Sequence, residues 1–204
     1  MFRDILYPEQ IQQIDILQLF SREFYLAGWT AIALQLWHRK SIDFDLFSGK
    51  KIQNSRILSK LREKGYMVDR ILVDSPGEEL TLIIAWVKFT FLYYPFAIEV
   101  WQKFEGIELP TLMTLWAMKF YTLGRRWKWK DYVDIYFLLN SGFALSDLSL
   151  CAQKIFAGGY NEKLLREQLC YYDDIDYTEQ VEYMWVALDD ELIKTSLREK
   201  AIEG

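Results

Sequence analysis

The chain predicts an α/β (α+β) fold, with a mixed sheet and flanking helices over residues 1–109 and a C-terminal helical bundle over 110–204. Three observations carry this reading. Alternating segments rich in aromatic and β-branched residues, punctuated by turn residues, crowd the first half. From Thr111 onward the apolar spacing becomes helical. Hydrophobic residues make up 51% of the 204 and aromatics 17%, including 8 Trp, a composition that belongs to a folded chain with an aromatic-rich core. The change of pattern near Glu108-Leu109-Pro110 favours a sheet domain followed by a helical one over a single large core.

Taken in order, Pro8 stands where a helix can begin, and Ile11, Ile14, Leu17 and Phe20 keep helical spacing. Residues 23–27 read as a short strand, Gly28 as a turn, and 31–37 as a helix whose first turn lies at Thr30. Residues 42–47 alternate as a strand, and Ser48-Gly49 ends it. Ile52, Ile57, Leu58 and Leu61 mark an amphipathic helix that stops near Gly65. Strands follow at 67–73, along a single aromatic run at 80–91, and at 96–101, with a turn at Asp74-Ser75-Pro76-Gly77. Helices are expected at 111–123, 130–139, 146–156, 161–169 and 178–200, with Ser146, Asn161 and Thr178 as starting residues able to satisfy orphan N–H groups.

A net charge of −5 and a pI near 5.1 argue against bulk electrostatic attraction to nucleic acid or anionic membrane, so any RNA contact must be local. Cys151 and Cys170 have neither CxxC spacing nor a neighbouring histidine, and are expected as buried free thiols. Met1-Phe2-Arg3-Asp4 leads into a charged amphipathic segment, the pattern of a cytoplasmic chain. The apolar stretch 80–101 is interrupted by Lys88, Pro95 and Glu99, which excludes a membrane-spanning helix there.

The chemistry points to Asp43-Phe44-Asp45. On a strand, residues two apart share a face with Cα atoms about 6.5 Å apart, so both carboxylates converge on one spot. Magnesium favours such a spot, held by one or two carboxylates plus substrate phosphates. Upstream, a strand, Gly28 and a helix start form an anion-binding unit, in which N–H groups of the helix terminus face a nucleoside triphosphate while the aspartates hold its cation.

Two blocks carry a resemblance. Leu26-Ala27-Gly28-Trp29-Thr30-Ala31 with His38-Arg39-Lys40-Ser41-Ile42-Asp43-Phe44-Asp45-Leu46-Phe47, then Met118-Lys119, Arg125 and Lys130-Asp131-Tyr132-Val133-Asp134-Ile135-Tyr136-Phe137-Leu138-Leu139, resemble the AbiEii/AbiGii-type nucleotidyltransferase toxins of the DNA-polymerase-β-like superfamily, over about residues 20–140. The resemblance implies a bacterial, Mg²⁺- or Mn²⁺-dependent enzyme of a toxin–antitoxin or abortive-infection system. Such an enzyme moves a nucleoside monophosphate from an NTP to a tRNA or protein acceptor and is encoded beside its antitoxin. It further implies Asp43, Asp45 and Glu99 as metal ligands; Gly28, Trp29 and Thr30 against phosphate; Lys119 near the triphosphate; and Lys130 with Asp134 completing the second motif. Two cations would clamp the transferred phosphoryl, and Asp45 or Glu99 would accept the acceptor hydroxyl's proton.

The chain departs from the family pattern at Trp29, where a small residue is usual, and at Glu99, where aspartate is commoner. A rival expectation is therefore a degenerate member that binds a nucleotide or partner without turnover. His38, the single histidine, reads as structural, because one imidazole makes no metal site. Arg39 and Lys40 suit either a solvated helix end or phosphate binding. The run Arg125-Arg126-Trp127-Lys128-Trp129-Lys130 suits either an RNA contact or a loop with its indoles in the core. Asp173, Asp174, Asp189 and Asp190 read as surface charges or helix starts. Lys119, on an apolar helix, calls for an anionic partner, which a triphosphate would supply.

Overall fold

In the computed structural model, which describes residues 1–122 and 128–203, the chain forms two compact units: residues 1–35 with 41–111, and residues 36–40 with 112–204. The first unit holds α1 (Pro8–Gln12), α2 (Asp15–Phe20), β1 (Tyr25–Ala27), most of α3 (Gly28–Leu36), β2 (Asp43–Ser48), α4 (Asn54–Glu63), β3 (Arg70–Ser75), β4 (Glu79–Ile84), β5 (Val87–Tyr93), β6 (Val100–Phe104) and β7 (Ile107–Pro110). The second holds α5 (Leu112–Thr122), α6 (Trp129–Leu139), α7 (Leu145–Phe156), α8 (Glu162–Cys170) and α9 (Asp190–Ile202).

Five strands pair in the order β1-β2-β5-β4-β3. Only β2 and β5 run parallel; the other pairs are antiparallel, so the sheet is mixed. Its register lines up apolar rows. Phe44 stands beside Phe89 and Phe89 beside Leu82; Leu46 stands beside Phe91 and Phe91 beside Leu80, all with no exposed surface. Phe20 and Phe24 pack edge-on against Phe91, with ring centroids 4.8 and 5.3 Å away. Because side chains alternate along a strand, burying Phe44 and Leu46 turns Asp43 and Asp45 to the other face, where both are half-buried. The second unit closes around Trp116, Tyr132, Ile135, Leu138, Leu148, Leu169, Ile193 and Leu197.

Several elements differ from expectation. The N-terminal helix is two short ones, α1 and α2, with Gln13 and Ile14 between them. The run 80–91 is not one strand but the hairpin β4–β5. Its turn, Ala85-Trp86, has φ of 47° and 68° and lacks the Asn or Gly that ordinarily announces such a turn. Glu108-Leu109-Pro110 belongs to β7, which pairs with β6 in a separate two-stranded sheet. The C-terminal helix begins at Asp190 and not at Thr178. Residues 182–184 instead pair their backbone with the 38–40 segment of the same unit, and Asp189 caps α9 by accepting from the Glu191 N–H. Both cysteines are free, but Cys170, at the end of α8, is exposed. Among the described residues no helix is long and apolar enough to cross a membrane.

Phe44→Ala should destabilise the first unit by about 3–5 kcal/mol, since it empties the centre of a row that the neighbouring strands cannot close over. Urea unfolding followed by fluorescence measures this; a loss below about 1 kcal/mol would contradict the packing described.

Candidate active site

Three local features assemble the polar face of β2. First, β1 ends at Ala27, directly opposite Asp45 in the antiparallel ladder, and Gly28 turns the chain into α3 with φ of +68°. A Cβ at Gly28 would stand 2.0 Å from Asp45 Oδ2, so the carboxylate lies in space that only glycine leaves open. Second, Thr30, buried in the first turn of α3, donates its hydroxyl hydrogen to the Asp43 carbonyl and shares a 2.7 Å hydrogen bond with the Ser41 hydroxyl. The Thr30 hydroxyl thus clasps the start of β2 to the first turn of α3. Third, the parallel register sets Lys88 beside Asp43 and Thr90 beside Asp45, and Lys88 Nζ lies 2.5 Å from Asp43 Oδ2. Trp29 is half-buried at the same turn.

The site therefore holds two same-face carboxylates, one lysine and a glycine turn at a helix start. Glu99 does not complete a triad in this structure. It is exposed in the segment before β6, outside the five-stranded sheet, and its carboxylate accepts a 3.3 Å hydrogen bond from Trp101 Nε1. Among the described residues no group of three or more acidic, cysteine or histidine side chains is arranged to hold a metal ion. Two carboxylates together with substrate phosphates still match how Mg²⁺ is commonly held. Lys88 was visible in the sequence only as a charge interrupting an apolar stretch; its signal is a lone cation on the polar side of a strand.

The second unit uses its motif residues differently. Asp134 is fully buried and meets both neighbours of the 38–39 segment: Arg39 Nε and Nη2 lie 2.6 Å from its two oxygens, and His38 Nε2 lies 2.5 Å from Oδ1. Burial alone would push this carboxyl up, but the Arg39 and His38 charges and their hydrogen bonds outweigh it and hold it below the usual carboxylate range. Arg39, likewise buried, has its guanidinium engaged by Asp134 and by the Lys40 carbonyl. Both residues are thus buried in an ion cluster of the second unit, each engaged by protein partners. His38 is buried in the same cluster, and among the described residues its Nδ1 has no hydrogen-bond partner.

Lys119 on α5 lies 3.7 Å from Asp131 Oδ1, and Asp131 also accepts from the Lys128 N–H at the start of α6, so a protein carboxylate supplies the anion that Lys119 required. Lys130 pairs with Glu179, as does Lys128. Burial raises the Glu179 carboxyl, but hydrogen bonds from these two lysines bring it below its ordinary value. Trp129 is buried, which answers one half of the tryptophan question in favour of the core, while Arg125, Arg126 and Trp127 lie outside the described residues.

No family model matches the chain. By sequence it is 28% identical over 184 residues to an uncharacterized protein of Aquifex aeolicus (strain VF5), covering 87% of each chain. By fold it is similar to the crystal structure of a "putative nucleotidyltransferase" from H. pylori (TM-score 0.57, 15% identity, 95% of this chain and 91% of that one). It is also similar to that of JHP933 from Helicobacter pylori (TM-score 0.58, 17% identity, 95% and 88%). The chain has this α/β fold, a mixed sheet with flanking and C-terminal helices, as expected.

Two outcomes follow from the geometry. Thr30→Val should cost about 1–3 kcal/mol by leaving the buried Ser41 hydroxyl and Asp43 carbonyl unsatisfied, while Thr30→Ser retains most of the stability; thermal and urea unfolding of the pair distinguish the clasp from mere packing. Asp134→Ala should cost about 3–5 kcal/mol, because it strands a buried guanidinium. With its native pKa depressed, the Asp134 contribution is complete above the unfolded carboxylate value of about 3.9 and is lost as pH falls through the lower native value. The stability gap between wild type and Asp134→Ala should therefore shrink on acidification below that point; a gap that widens there would contradict the ion cluster.

Proposed function

We propose that the chain is a nucleotidyltransferase that moves a nucleoside monophosphate from an NTP to an acceptor hydroxyl. The observation that carries this is the seating of Asp45 on Gly28, beside Asp43 and Lys88, at the point where β1 turns into α3. The fold likeness to a structure bearing the nucleotidyltransferase name supports it.

In this reading the N–H groups of the first turn of α3 face the triphosphate, and Lys88 contributes positive charge beside the phosphates. Asp43 and Asp45 would hold Mg²⁺ or Mn²⁺, which when bound neutralises the triphosphate and polarises the transferred phosphoryl. The acceptor oxygen forms a bond to the α-phosphorus as the bond to pyrophosphate breaks. The hydroxyl proton passes to a carboxylate, with Asp45 the candidate. Positioning and charge neutralisation supply most of the acceleration. The resemblance extends the proposal to a toxin of a toxin–antitoxin or phage-defence system that acts on a tRNA or protein acceptor.

A second reading has a specific observation behind it. Lys88 already neutralises Asp43, and among the described residues no third carboxylate joins the pair, an arrangement that suits nucleotide binding without turnover.

Labelled NTPs with Mg²⁺ or Mn²⁺ and total RNA or lysate should give label transfer, reduced about 100-fold or more by Asp43→Asn or Asp45→Asn. Expression of the wild type should arrest growth, and Asp45→Asn should relieve the arrest. Calorimetric binding of Mg-NTP without label transfer in any acceptor pool would select the second reading. Neither binding nor transfer would end both.

A further inference from the structure

We propose that the chain self-associates through β3, edge to edge with a second copy, to continue the five-stranded sheet across a two-fold axis. β3 is the edge strand beyond β4, and all six of its residues are exposed. The other edge strand, β1, lies against β7. β3 presents Ile71, Leu72 and Val73 at 45, 43 and 36% exposure. An uncovered edge with three consecutive aliphatics is a template for another strand, and natural chains guard such edges with lysine, proline or a covering element. Between Arg70 and Ser75 there is neither lysine nor proline, and the two charges present, Arg70 and Asp74, are of opposite sign, so that they guard the edge against other strands but not against a second copy of itself.

The segment Arg70-Ile71-Leu72-Val73-Asp74 identifies the partner, because it complements itself. An antiparallel two-fold through Leu72 sets Arg70 opposite the other copy's Asp74 and Ile71 opposite its Val73, each twice. Opposite charges and β-branched pairs placed across a ladder both stabilise it, whereas a parallel or shifted pairing loses the two ion pairs. Among the described residues Arg70 has no ion-pair or side-chain hydrogen-bond partner, and Asn54 Nδ2 donates to Asp74 Oδ1 at 2.6 Å, holding that carboxylate on the strand. The register with β4 shifts at Leu72, a bulge that adds local twist. With the axis at Leu72 both copies carry that twist at the same point. The same edge is flanked by Met67, 78% exposed, and by Trp86, 92% exposed in its positive-φ turn, which is held near the Arg70 end by a hydrogen bond from the Ala85 N–H to Asp69 Oδ2. The inference does not depend on the catalytic reading.

Light scattering and sedimentation over a hundredfold concentration series should give a dimer of the 24.4 kDa chain. Arg70→Asp sets aspartate against aspartate and should raise the dissociation constant about tenfold or more. Arg70→Asp with Asp74→Arg should recover association, and Leu72→Lys should give a monomer with unchanged circular dichroism. In the wild type, hydrogen exchange should show the 70–75 amides more protected at high than at low concentration. A monomer throughout the series, or a dimer indifferent to all three variants with no concentration-dependent protection of 70–75, would overturn the proposal.

Discussion

Asp45 rests on Gly28 so closely that even a methyl group would not fit between them, and the polar face of the sheet is arranged around that contact. One glycine does two things. Its left-handed φ lets β1 turn directly into α3, and its missing Cβ admits the carboxylate of the neighbouring strand. The antiparallel register makes the contact obligatory, because Ala27, the residue before the turn, is the ladder partner of Asp45. Thr30, two residues later, then reaches Ser41 and the Asp43 carbonyl, so the segments before and after the 36–40 excursion are bound to one another. Trp29 does not interrupt this, since the turn relies on backbone conformation and on the absence of a side chain at position 28 alone.

The helical unit shows how a motif can carry chemistry and still be used by the fold. Asp131 and Asp134 are three apart on α6 and both buried, so each needs a cation or donor nearby. Asp134 finds Arg39 and His38; Asp131 finds Lys119 and the N-terminus of its own helix. A buried carboxylate gripped by a guanidinium through both oxygens is already fully engaged. Burial pushes this carboxyl up, and the grip of Arg39 and His38 outweighs it and holds the group below the usual carboxylate range.

How much was legible varied with the range of the interaction involved. The alternation of 43–47 is visible in the residue order, and the structure places Phe44 and Leu46 inside accordingly. Asn161 as a helix cap was legible for the same reason, and its side chain accepts from the Leu164 N–H. The β4–β5 hairpin was hidden because its turn is built from alanine and tryptophan at positive φ, residues whose intrinsic preference is against it, so the surrounding ladder imposes the turn. The helix expected from 178 was lost to tertiary competition, where backbone pairing of 182–184 with 38–40 outweighs a weak local preference.

The amino-acid sequence by itself determined the strand, glycine turn and helix around position 28 and the common face of Asp43 and Asp45. These rest on a period of two and on one residue's φ, both properties of neighbours along the chain. Only the tertiary structure decided what stands beside that pair. Strand order is set by non-local packing of the Phe44, Phe89 and Phe91 rows, and that packing brings β5 with Lys88 against β2 while Glu99 is left outside the sheet. Pairing between distant segments is selected by the burial it achieves, a quantity that no local pattern encodes.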